Sequence, residues 1–198
     1  MFGASAESIP DRLLAKTGLE RGTQVYGKVL GWGTRRSVHY RGTENTEDFI
    51  SMKAREWLER GRLASSKIDA LRDFWAGFNN LYNSNAKCAE QCKIRTFLSE
   101  SISSVASNEV LAGNSTEVDY LLSQPVIDMR GNGKDTAEYV RAFHAAKDPL
   151  ERLINVFMVI YQVRCNLEHG QKSPSRERDV QLCACSAPVV AAVVQRCA

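Results

Sequence analysis

From Glu44 onward, apolar residues recur at steps of three and four, the spacing that gathers side chains on one face of a helix. "TENTEDFISMKAREWLERG" opens with capping Thr and Asn and early acids, then places Phe49, Met52, Trp57 and Leu58 with helical recurrence before Gly61 closes it. "SSKIDALRDFWAGFNNLYNSN" carries Ile68, Leu71, Trp75, Phe78 and Leu81/Tyr82 on one face, which must be buried. A third helix is expected from near Lys87 through Cys88, Cys92, Ile94, Phe97, Leu98, Ile102 and Val105, with polar sequence following at 107–115. "STEVDYLLS" reads as a short helix that stops before Pro125.

"DMRGNGKD", Asp128 to Asp135, is the clearest loop. "TAEYVRAFHAAKDP" and "LERLINVFMVIYQVRCNLEHG" then form a helical pair or one kinked helix, with Pro149 near the first turn of the second part. A last helix starts near Ser175, and its internal Pro188 is expected to bend or split it. Residues 20–42 differ: "TQVYGKVLGW" and "RRSVHYRG" are β-branched, aromatic and punctuated by glycine, the pattern of a two-stranded hairpin or an irregular lead-in. The fold class is therefore all-α, a helical bundle over residues 43–198 with an N-terminal extension over residues 1–42.

The chain has 198 residues, of which 43% are hydrophobic and 25% charged, enough for one sizeable core. Net charge is +3, too small to mark a nucleic-acid binder by bulk electrostatics. Residues 1–42 hold +4 of it, leaving the remainder at −1. No uninterrupted apolar run reaches the roughly 18 residues of a membrane span, and the first residues lack the basic start and apolar core of a secretory signal. A cytoplasmic protein that does not engage a membrane is expected. The six cysteines include Cys88-x3-Cys92 and Cys183-x-Cys185, neither of which has zinc-knuckle spacing. Reduced thiols packed as small hydrophobes are expected, with no metal and no other cofactor.

The chemistry concentrates at 164–169. On a helix turning about 100° per residue, Leu153, Val156, Phe157, Ile160, Val163 and Leu167 lie within about 60° of one direction. Arg164 falls inside that apolar stripe, where a guanidinium is costly unless paired or reachable by a ligand. Asn166 and His169 share another face, and His169 lies about 140° from Arg164. One ideal helix cannot aim both at a small target, whereas two copies across a dimer axis can. The carbonyl end of the helix favours a cationic imidazole, so His169 suits proton exchange near neutral pH. With Arg164 as a phosphate donor and Asn166 orienting a phosphate or hydroxyl, the set suits metal-free phosphodiester cleavage. The plainer reading makes Arg164 an ion-pair partner of Glu168 or Asp73, and His169 an ordinary cap.

"YQVRCNLEHGQK" resembles the signature of the HEPN superfamily, small helical bundles marked by Arg, four to six residues, then His. Arg164, His169 and Gly170 carry the match, and "DFWAGFNNLYNSN" is similar to an early helix of some prokaryotic members. The resemblance covers roughly residues 44–198. It departs from the family at Cys165, where Asn, Asp or His is common, with Asn166 one step later. It implies a metal-independent endoribonuclease with a composite Arg164/His169 site at a homodimer interface. It further implies RNA as substrate, Lys172 and Arg176 near flanking phosphates, and a defence or toxin–antitoxin setting with an antitoxin or other regulatory partner. The alternative within the same superfamily is a non-catalytic module that binds nucleotide, RNA or a partner protein. For residues 1–42 three roles stay open: a substrate-selecting cap, a dimerisation arm or a partner-binding strand pair.

Overall fold

The computed structural model describes residues 46–82, 87–170 and 175–198. The N-terminal extension with its hairpin pattern, the boundary near residue 42 and Lys172 lie outside the described residues. Within them the protein is all-α, an eight-helix bundle.

Helix α1 (Thr46–Arg62) and α2 (Lys67–Tyr82) form a hairpin. The α1 face that is buried is Ala54, Leu58 and Gly61; Phe49 and Met52 of the sequence stripe are exposed. Gly61 does not end the helix. A Cβ there would meet the Phe74 ring at 2.4 Å, so the missing side chain admits the neighbouring helix. Ser66 caps the start of α2: its hydroxyl accepts from the Asp69 amide (3.1 Å) and donates to the Asp69 carboxylate (2.6 Å).

The single third helix expected from Lys87 to Val105 is two. Helix α3 (Glu90–Ser101) stops because Ile102 turns extended to stay buried, and Ser103 then caps α4 (Ser104–Gly113) by accepting from the Ala106 amide at 3.2 Å. The polar 107–115 stretch is therefore mostly helical, and Val105 is exposed. Helix α5 (Ser115–Ser123) ends at an extended Gln124, as Pro125 requires. Helices α6 (Ala137–Ala145) and α7 (Pro149–Glu168) are a pair rather than one kinked helix, Asp148 capping α7 and Pro149 filling its first position.

Five consecutive residues of α7, Val156 to Ile160, are fully buried, so this helix is enclosed on all sides at mid-length. It touches α3, α4, α5, α6 and α8 (Glu177–Cys197). Phe78 anchors α2 against it, with Phe157 at 5.0 Å, Tyr82 at 4.9 Å, Trp75 at 5.4 Å and Phe97 at 5.7 Å between ring centroids. Each fully buried ring of this kind stabilises the core by about 2–3 kcal/mol.

Helix α8 runs through Pro188 without splitting, which excludes one of the two outcomes expected from the sequence. Proline removes one backbone hydrogen bond, at a cost of about 3 kcal/mol. Burial of Leu182, Cys183, Val189, Val190, Val193 and Val194 on both sides outweighs it. Helix α8 is also long and apolar enough to cross a membrane by length and composition; half of its most apolar stretch is buried in the bundle. Cys165, Cys183 and Cys185 are buried thiols as expected, whereas Cys88 and Cys92 are exposed.

Candidate functional site

Arg164 projects from the stripe side of α7 toward the start of α3, where its Nη1 donates to the Glu90 carboxylate at 3.3 Å. The partner is thus neither of the two acids expected from sequence. Asp73 pairs with Arg60 at 3.1 Å, and Glu168 lies 3.9 Å from Arg72. Glu90 occupies the first turn of α3, where the helix dipole favours a carboxylate. Its other oxygen accepts from the Tyr82 hydroxyl at 2.6 Å. The Arg164 guanidinium also sits 5.8 Å from the Trp75 ring centroid. Three helices therefore converge on one charge pair.

Both side chains remain partly accessible, 27% for Arg164 and 31% for Glu90. Burial works against the Arg164 charge, but the Glu90 carboxylate outweighs it and holds the guanidinium more firmly cationic. Burial first, then the bond to Glu90, pushes the Tyr82 hydroxyl up, so it stays neutral and donates. Burial and the Cys165 thiol likewise push Tyr161 up. Trp75 Nε1 and Arg164 Nε are both buried without a hydrogen-bond partner.

His169 is the C-cap of α7 and is exposed; its backbone amide donates to the Cys165 carbonyl at 3.1 Å. Gly170 follows with φ of +66°, the left-handed turn that glycine adopts without strain, so the helix ends where the sequence places its end. Helix α7 is unbroken from Arg164 to Glu168. Arg164 and His169 thus keep an angular separation of about 140°, and the chain alone does not bring them to one point.

Asn166 is only 1% exposed, and both ends of its amide are occupied. Its Nδ2 donates to the Ile127 carbonyl (2.8 Å), and its Oδ1 accepts from the Met129 amide (3.3 Å) and from Gln162 Nε2 (2.9 Å). It straps the Asp128–Asp135 loop onto α7 and is turned away from any hydroxyl in solvent. The helical wheel separates the Asn166 face from Arg164 but gives no sign that a loop covers it.

That loop is tightly built. The Val126 and Thr136 backbones pair, Ile127 and Asp135 form an antiparallel bridge, and Gly131 and Gly133 adopt positive φ. Buried Asp128 accepts from Arg130 Nε (2.9 Å), Arg130 Nη2 (2.6 Å) and Asn132 Nδ2 (2.7 Å). Those bonds, led by Arg130, hold the Asp128 carboxyl well below the usual carboxylate range, against the opposing effect of burial. A depressed folded-state value means that its stabilisation is complete above the usual carboxylate range and is lost progressively as the pH falls from there toward the lower value. The contact itself survives in the folded protein until that value is reached. The Arg130–Asp128 contact is accordingly expected to persist when an NMR titration passes from pH 5 to 4; loss in that interval would contradict it.

Arg176 is the exposed N-cap residue of α8, its carbonyl accepting from the Asp179 and Val180 amides. It borders a groove of about 400 Å³ shared with Val126, Ile127, Met129 and Leu182. Arg178 beside it is committed to Gln124 and to the Pro125 carbonyl. No group of three metal-ligating side chains occurs among the described residues. No family model, no curated protein and no solved structure matches the chain.

Proposed function

We propose that the protein is a metal-independent endoribonuclease of the HEPN type, acting as a homodimer in a defence or toxin–antitoxin setting. The observation that carries this reading is a carboxylate-anchored, partly exposed guanidinium followed on the same helix by an exposed C-cap imidazole, Arg164 and His169. Arg164, oriented by Glu90, would hold the scissile phosphate and neutralise charge as it develops. A His169 imidazole would take the proton of the ribose 2′-hydroxyl as its oxygen attacks phosphorus, and an imidazolium would protonate the departing 5′-oxygen. The products are a 2′,3′-cyclic phosphate and a 5′-hydroxyl. Because the two side chains diverge on one helix, the second subunit supplies the missing half of each site. Asn166 serves this scheme by fixing the neighbouring loop, and exposed Arg176 is available to a flanking phosphate.

The test is cleavage of labelled single-stranded RNA in EDTA. Fragments ending in a cyclic phosphate are expected, and an all-deoxy strand should stay intact because it lacks the nucleophile. Activity that disappears with EDTA contradicts the mechanism. A second reading, a non-catalytic module binding nucleotide, RNA or a partner protein, is favoured by the Glu90 partner that already neutralises Arg164. Binding of RNA without cleavage in the same assay would select it.

A further inference from the structure

The Asp128–Asp135 loop has no part in the scheme above beyond its attachment to Asn166, yet it is the most highly organised turn among the described residues. Of its two acids, Asp128 is buried under Arg130 and Asn132, whereas Asp135 is exposed and accepts from the Ala137 amide at the start of α6 (2.8 Å). Beside that acid the loop exposes two cations, the Arg130 side chain, 55% exposed, and Lys134. The fork to Asp128 uses Nε and Nη2 of Arg130, leaving the Nη1 edge for a ligand. A guanidinium already fixed by a carboxylate loses little side-chain freedom when it binds an anion.

The place of the turn matters as much as its charge. Asn166 holds the Met129 amide, so Arg130 follows directly from the point of attachment to α7. Tyr161, Arg164, Cys165 and Glu168 follow one another at steps of three, one and three, a single stripe along the helix. Arg130 approaches this stripe from the Asn166 side, and Arg164 leaves it on the other, toward Glu90. Tyr161, half-buried with its ring 6.3 Å from Trp75, lies on the helical wheel between Arg164 and the Asn166 side where the loop is attached. The acid of the stripe, Glu168, is drawn to Arg72.

Two separately anchored guanidinium groups on either side of an aromatic ring are the elements that hold a single strand by its phosphates and a base. We propose that the Arg130 turn is a second phosphate-binding element, taking one phosphate of a single-stranded RNA whose scissile phosphate lies on Arg164, with a base stacked on Tyr161. The proposal rests on the ribonuclease reading for its substrate and adds the direction in which the strand runs across α7.

Binding is measured by fluorescence anisotropy with RNA methylated at every 2′-oxygen, so that cleavage cannot intrude, over a range of salt concentrations. Arg130→Ala is expected to weaken binding about tenfold and to lower the slope of log affinity against log salt by about 0.7, the share of one single-strand phosphate. Tyr161→Leu should weaken binding about tenfold with the slope unchanged. Because Arg130→Ala removes a partner of buried Asp128, Arg130→Lys is measured beside it. This variant keeps the cation without the fork and should retain the slope with a smaller loss. Wild-type affinity and slope in both Arg130 variants overturn the proposal and leave the ribonuclease reading standing on its own cleavage test. Failure of the wild-type protein to bind this RNA at low salt overturns both. Binding that depends on Arg130 without cleavage of unmodified RNA overturns the ribonuclease reading alone.

Discussion

His169→Ala and Arg164→Ala are each expected to lower RNA cleavage by about 10²- to 10⁴-fold, the usual contribution of a positioned proton-transfer group or oxyanion donor. Mixing the two inactive proteins, with subunit exchange, is expected to restore about a quarter of wild-type activity. The reason is geometric. Helix α7 is continuous from Arg164 to Glu168, so the two side chains of one chain leave it about 140° apart, and in the proposed mechanism a working pair takes one residue from each subunit. Random exchange makes half the dimers mixed, and each mixed dimer retains one intact pair of two. The variants should differ in stability. Exposed His169 contributes mainly its backbone to the cap, so its loss leaves the melting temperature almost unchanged. Removing Arg164 leaves Glu90 and Tyr82 as a partly buried pair without their cation, a cost of about 1–2 kcal/mol. No recovery on mixing, with both single variants inactive, would place the site within one subunit; full activity in either single variant would remove that residue from the mechanism.

The parts of this arrangement that could be read from sequence are the local ones. Periodicity marks the buried face of α2 and the apolar stripe of α7, and it identifies Arg164 as a misplaced charge. The helix end at Gly170 and the turn at Asp128–Asp135 follow from residues with strong backbone preferences. What the sequence does not disclose depends on partners far along the chain. Glu90 is 74 residues from Arg164, and nothing in the spacing of α3 marks it as the counter-ion in place of Asp73 or Glu168. The split between α3 and α4 turns on Ile102 preferring burial to helix continuation, a tertiary choice overriding local pattern. Continuity of α8 through Pro188 has the same origin, because burial on both sides outweighs a local penalty. Gly61 shows the converse error: a residue that commonly ends helices is present because another helix needs the space.

Asn166→Ala is expected to lower stability by about 3 kcal/mol, and hence the melting temperature by about 6–12 °C in a domain of this size. The side chain is 1% exposed and makes three hydrogen bonds, two of them to the backbone of the 127–129 segment. Alanine removes the donor to the Ile127 carbonyl, the acceptor of the Met129 amide and the bond to Gln162, each worth about 1 kcal/mol. Hydrogen exchange should therefore quicken at Met129 and through residues 130–135, while the middle of α7, enclosed on all sides, stays protected. Asn166→Asp sharpens the argument. The introduced carboxylate keeps the acceptor for the Met129 amide but loses the donor to the Ile127 carbonyl and sets a negative charge against it. It resists ionising there, so this variant should be less stable than Asn166→Ala at neutral pH and regain stability as the pH falls. If the loop instead owes its position to its own internal bonds, both variants will melt within about 2 °C of the wild-type protein, and Arg130 will bind RNA as before. If Asn166 is what holds the loop against α7, loss of the strap will remove the contribution of Arg130 to the salt slope while Arg164 retains its own.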